Sequence, residues 1–204
     1  MLYSDQYKFI FIHIPKTGGS SIRRVLKDNI EDATRINGGT HTTIEEVRDG
    51  IKDYDGKFIL AKNGLPREKY DEYTKFTFVR NPWDRAVSLV ADDLRKIGKL
   101  ITKEIFYKRL IEMDESRLNS MRLISIDRLL EMDYVYSFEN LQKDFKQLLQ
   151  RIGLHCIELP HVRETKHIHY SAYYNIDTMV KVRECEKDLI DYYGYEFAGS
   201  TYYV

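Results

Sequence analysis

The stretch Tyr7–Arg24, YKFIFIHIPKTGGSSIRR, constrains the fold more than any other part of the chain. Tyr7–Ile14 is rich in aromatic and β-branched residues with no turn signal, the pattern of a strand buried on both faces of a parallel sheet. Pro15 removes a ladder donor and ends the strand. Gly18 and Gly19 then allow a tight turn that brings backbone N–H groups close to a ligand. Ser20 or Ser21 can cap the next helix, whose apolar stripe is Ile22, Val25, Leu26 and Ile30, with Arg23, Arg24 and Lys27 outward. The start of a helix carries unpaired N–H groups and the positive dipole end, and Lys16 adds a full charge beside them. The stretch therefore points to a phosphate or sulfate site. An ordinary strand-to-helix turn with a surface lysine fits the same residues, so a second motif is needed to decide.

That motif is Lys75–Val79, a strand leading into Arg80-Asn81-Pro82-Trp83-Asp84-Arg85. Asn81 is a helix cap, Pro82 suits the first helical position, and Asp84 complements the dipole. Trp83, Val87, Val90, Ala91, Leu94 and Ile97 form the stripe of this helix, and Gly98 ends it. Ligands of open α/β sheets gather beyond the carboxyl ends of strands, where Arg80 projects, and Ser88 offers a hydroxyl two turns on. Arg85 is expected to pair with Asp84 or another nearby carboxylate.

At 204 residues the chain is expected to form one domain over 1–204. Lys plus Arg equals Asp plus Glu at 32 each, so no global field draws in nucleic acid or an anionic membrane, and anion binding must be local. No apolar segment is long enough for a signal or membrane anchor, and the two cysteines, Cys156 and Cys185, lack metal or disulfide spacing. A soluble, cytoplasmic protein is the expectation. Thr42 with Glu45 and Thr43 with Glu46 are overlapping capping boxes, which put His41 at a loop-to-helix junction. Residues 102–132 read as helical, Tyr134–Phe138 as a strand, Glu139–Ile152 as a helix, and 177–193 as a final helix ended by Gly194. The segment 160–174 is basic and aromatic, and His167 and His169 find no Cys or carboxylate set to complete a metal site.

Together, IPKTGGSSI at 14–22 and FVRNPWDRAVSLV at 78–90 resemble the two cofactor motifs of sulfotransferases, nearest to the small bacterial branch of the carbohydrate-type (type 2) family. HTTIEEVRD after Gly39-Thr40, YSFENL, LPH, YYN and EKDLIDYYGYEF agree in order. The resemblance implies a P-loop-like, three-layer α/β fold with a central parallel sheet flanked by helices. It implies 3′-phosphoadenosine 5′-phosphosulfate (PAPS) as sulfuryl donor and no metal. By position, Lys16, Thr17, Gly18, Gly19, Ser20 and Ser21 would hold the 5′-phosphosulfate, and Arg80 and Ser88 the 3′-phosphate. Lys166 would add a nucleotide contact. His41 matches a general base, with Glu45 or Glu46 as the fallback, and Lys16 would stabilise charge on the departing oxygen.

A saccharide hydroxyl is the acceptor the resemblance favours, with other small-molecule hydroxyls open. Two alternatives remain at this level. An ATP- or GTP-dependent phosphotransferase would want G-x-x-x-x-G-K-[ST], whereas Lys16 precedes both glycines here. A non-catalytic nucleotide-binding protein would bind the donor without turnover.

Overall fold

The computed structural model describes residues 1–36, 51–52, 58–59, 65–122, 124–154, 157–159 and 168–197. They belong to two compact units, one drawn from 1–79 and 123–163 and the other from 80–122 and 164–204. The strands are β1 (Leu2–Ser4), β2 (Phe9–Ile12), β3 (Thr34–Arg35), β4 (Ile51–Lys52), β5 (Phe58–Ile59), β6 (Thr74–Val79) and β7 (Tyr134–Ser137). The helices are α1 (Gly19–Asn29), α2 (Arg67–Glu72), α3 (Pro82–Lys96), α4 (Lys103–Ile111), α5 (Glu115–Leu118), α6 (Ile126–Leu130), α7 (Leu141–Arg151), α8 (Ile176–Cys185) and α9 (Lys187–Tyr193).

The first unit is built on a sheet in the order β3-β1-β2-β6-β7, with β4 and β5 forming a separate antiparallel pair. β2, β6 and β7 are parallel, with Ile12 opposite Thr77 and Thr77 opposite Val135. The expected parallel sheet is therefore present as a trio, but the sheet as a whole is mixed. β1 runs antiparallel to both β2 and β3. The cause is local: only Asp5–Lys8 separate β1 from β2, and so short a link can join only antiparallel neighbours.

Alternation along the strands puts Phe9, Phe11, Phe76, Phe78 and Tyr136 into one core with Ile22, Val25 and Leu26 of α1 and Phe145, Leu148 and Leu149 of α7. The Phe11 and Phe76 rings stack at 5.2 Å. Ile10 and Ile12, which point the other way, are also fully buried. β2 is thus covered on both faces, as its uninterrupted apolar character requires.

In the second unit, Asn81 caps α3 by accepting from Trp83 N and Asp84 N at 3.1 and 3.3 Å, with Pro82 at the first helical position. Trp83, Val87, Val90 and Leu94 join Phe106, Leu110, Tyr170, Tyr173, Tyr174 and Val182 in the core, while Ile97 is exposed and leaves the stripe. The Tyr174 hydroxyl donates to Trp83 O at 2.8 Å, and the Trp83 indole N–H donates to Met179 O at 3.1 Å.

Two stretches read as helical are interrupted in the structure. Over 102–132 the chain restarts twice, because Asp114 and Ser125 cap new helices with their side chains. The C-terminal helix is split at Glu186, whose carboxylate turns inward to meet Arg85. Arg85 Nε donates to Glu186 Oε1 at 3.1 Å, Ser120 N donates to the same oxygen at 3.0 Å, and the Ser120 hydroxyl donates to Oε2. Arg85 does pair with a carboxylate, as expected, but with one 101 residues away. Gly194, in the left-handed region at φ 64°, closes α9. Among the described residues no helix is long and apolar enough to cross a membrane.

Candidate functional site

The parallel arrangement sets where the chain leaves the sheet. β2, β6 and β7 end at one edge. From β2 the chain enters the loop 13–18, from β6 it passes to residue 80, and from β7 it enters a 3₁₀ turn at Phe138–Asn140. This edge of an open sheet is the one that collects ligands, and β2 is flanked by an antiparallel neighbour on one side and a parallel one on the other.

The loop is held from within. The Thr17 hydroxyl, fully buried, donates to Ile14 O at 2.8 Å and ties the loop to the end of β2. Lys16 adopts φ 71°, a left-handed conformation that costs a non-glycine residue on the order of 1–2 kcal/mol. Strain of this kind persists where surrounding structure enforces it, and it gathers at binding sites. Gly18 follows at φ 80° and is the N-cap of α1, with no side-chain cap and no acidic residue in the first turn. The first bonds of the helix run from Ser21 N and Ile22 N to Gly18 O at 3.0 and 3.2 Å. Ser20 and Ser21 therefore lie inside the first turn and do not cap it, contrary to the sequence expectation. The reason is that Gly18 takes the capping position through its backbone alone.

The two glycines are required for different reasons. Gly18 needs its left-handed φ, and a Cβ there would also approach Leu141 Cδ2 at 2.9 Å. Gly19 has ordinary helical geometry, but a Cβ would lie 1.9 Å from Cδ2 of His13. His13 was not singled out from the sequence, and only its place two residues before Pro15 could have drawn notice.

An α1 start with neither acidic residue nor side-chain cap, beside Lys16, is arranged to receive an anion. The amides of Gly19 and Ser20 precede the helical ladder and have no acceptor within it, and the dipole favours negative charge there. In the second unit Arg80 is 7% exposed and Ser88 4%. The Arg80 Nε donates to Asp84 Oδ2 at 2.8 Å, so one carboxylate fixes the plane of the guanidinium. The sequence offers Asp84 to the helix dipole and to Arg85; the structure pairs it with Arg80 instead. His41, Glu45, Glu46 and Lys166 lie outside the described residues. Among those described, no group of three or more His, Cys, Asp or Glu side chains is disposed to hold a metal ion.

Comparison with known proteins places these features in context. A profile of the sulfotransferase family matches residues 1–197. Carbohydrate sulfotransferase 14 of Homo sapiens is 24% identical over 194 residues, covering 80% of this chain and 48% of that protein. Its Danio rerio counterpart is 23% identical over 186 residues, covering 75% and 48%. Carbohydrate sulfotransferase 10 of Xenopus laevis is 29% identical over 100 residues, covering 44% and 24%. The chain thus aligns with about half the length of the type 14 relatives it matches.

Proposed function

The chain belongs to the sulfotransferase family, and on that premise we propose that it transfers a sulfuryl group from PAPS to an acceptor hydroxyl, on a carbohydrate or another small molecule. The observation that carries the reading is the start of α1, where Lys16 is held at positive φ beside a helix N-terminus with no side-chain cap. In this reading Lys16, the buried Thr17 and the backbone of Gly18, Gly19, Ser20 and Ser21 hold the 5′-phosphosulfate. Arg80 and Ser88 hold the 3′-phosphate, for which the planar, always-charged guanidinium is the suited donor. Lys166 adds a contact to the nucleotide.

The reaction follows from those roles. The acceptor oxygen attacks sulfur as its proton passes to His41, whose imidazole is a competent base near neutral pH. The bond from sulfur to the 5′-phosphate oxygen breaks with its electron pair on that oxygen, and the product is 3′-phosphoadenosine 5′-phosphate (PAP). Lys16 and the α1 amides meet the charge that develops there. Positive charge is supplied by side chains and backbone, so the reading calls on no metal.

The relatives named for carbohydrate sulfation support a saccharide acceptor. The test is PAPS turnover against a panel of saccharide hydroxyls. PAP and sulfated product forming in equal amounts is the expected result. Turnover of ATP with magnesium in place of PAPS would replace the reading with phosphoryl transfer, and donor binding without any turnover would make the protein a non-catalytic binder.

A further inference from the structure

We propose that His13 is a positioning residue of the anion loop: its imidazole, wedged against Gly19, fixes the first turn of α1 and thereby the affinity for the anionic end of the donor. This rests on the reading of the loop as the donor site.

His13 follows Ile12, the last residue of β2, and lies on the face of Phe11 by strand alternation. The two rings stack at 5.9 Å with 30° between their planes, and His13 is 8% exposed. The imidazole also fills the space that a side chain at position 19 would need. A Cβ on Gly19 would lie 1.9 Å from Cδ2, 2.2 Å from Nε2 and 2.8 Å from Cγ. No real contact is that short, so the ring and the α1 backbone are in direct apposition. The ring is planar and rigid, and it stacks on Phe11. Gly19 cannot move toward the sheet without displacing it.

Gly19 is the first residue of α1, and its amide is among those that precede the helical ladder. A wedge behind its Cα therefore sets the direction in which the Gly19 and Ser20 amides point. Displacements of about 1 Å at such donors are enough to cost a hundredfold in function. The requirement for glycine at 19 is on this account a consequence of histidine at 13, and the two positions should behave as one unit.

A double-mutant cycle reads this directly. PAP affinity is measured by calorimetry for wild type, His13→Ala, Gly19→Ala and the double variant, with steady-state KM for donor and acceptor alongside. His13→Ala should weaken PAP binding and raise the donor KM about tenfold while leaving the acceptor KM unchanged, and the double variant should recover affinity relative to Gly19→Ala by about tenfold. Purely additive effects, or an unchanged PAP affinity in His13→Ala, would overturn the proposal.

A second measurement needs no ligand. In the free protein, His13→Ala should lower the backbone order parameters at Gly19 and Ser20 and leave those of β6 as in wild type; unchanged values at 19 and 20 would also overturn it. Should wild type fail to bind PAP, the donor reading falls and the order parameters alone decide the role of His13. Should Gly19→Ala fail to fold, His13→Ala and His13→Asn carry the comparison, with Asn expected to retain more affinity than Ala and equal loss in both counting against the wedge.

Discussion

Arg80 and Asp84, one turn apart, form a tight ion pair in which Nε and Nη2 of Arg80 both lie 2.8 Å from Oδ2 of Asp84. The pair is mostly shielded from solvent, so the guanidinium arrives at its place already oriented. If Arg80 receives the 3′-phosphate, Arg80→Ala should weaken PAP binding by about tenfold to a hundredfold, the range expected for hydrogen bonds to a charged group. Binding of a nucleotide without a 3′-phosphate should hardly change. Arg80→Lys should recover little, because an ammonium lacks the fork that Asp84 and a phosphate both use. Equal losses for both nucleotides would assign Arg80 a structural role only.

The strained Lys16 separates stability from activity. Lys16→Gly keeps the backbone conformation at φ 71° without a Cβ penalty. It should therefore be at least as stable as wild type, by up to about 1 kcal/mol in urea titration, while Lys16→Ala shows no such gain. Both should lose turnover. A Lys16→Gly variant clearly less stable than Lys16→Ala would show that the strain is not present in solution.

Glu186 is the acceptor for Arg85 and for both donors of Ser120 in a buried setting. Glu186→Ala leaves a buried guanidinium uncompensated and should cost about 3–5 kcal/mol of stability. Hydrogen exchange should rise chiefly at α3, α8 and α9, the elements that the pair ties together. A loss below about 1 kcal/mol would mean that water reaches Arg85 readily.

Alkaline pH offers a fourth test. Burial pushes the Tyr136 phenol up to about 12 and the Tyr174 phenol well above its ordinary value. A raised folded pKa contributes stability that is fully present below the ordinary value near 10 and is lost as pH climbs through the folded value. Unfolding should thus set in between about pH 10 and 12. Tyr136→Phe should delay it, and at neutral pH it should be neutral or stabilising by up to about 1 kcal/mol, because the buried Tyr136 hydroxyl has no hydrogen-bond partner among the described residues. Tyr174→Phe loses the bond to Trp83 O and should cost about 1 kcal/mol. Denaturation followed against pH decides both, and an unaltered alkaline midpoint in Tyr136→Phe would contradict the first.

The elements that proved legible are those whose signal is local. β2, β6 and their following helices follow from apolar runs, from Asn81 and Pro82, and from the glycine pair, all within a few residues of one another. β1 and β3 escaped notice because three- and two-residue strands are defined by their partners and not by any pattern of their own. The split at Glu186 could not be foreseen either, since its cause is an arginine 101 residues away. Among the candidate site residues, Lys16 and Arg80 were visible as charges, but the φ of Lys16, the choice of Arg80 as the partner of Asp84 and the apposition of His13 to Gly19 depend on backbone geometry that residue type and spacing do not reveal. The two glycines looked alike in the sequence and turn out to answer different demands.

The central claim, that this chain holds a nucleotide by anionic groups at two ends, is tested most directly by calorimetry with PAP and with the same nucleotide lacking its 3′-phosphate. A micromolar affinity for PAP that falls by about a hundredfold without the 3′-phosphate is the predicted result. Equal affinity for the two, or tighter binding of ATP with magnesium, would contradict it.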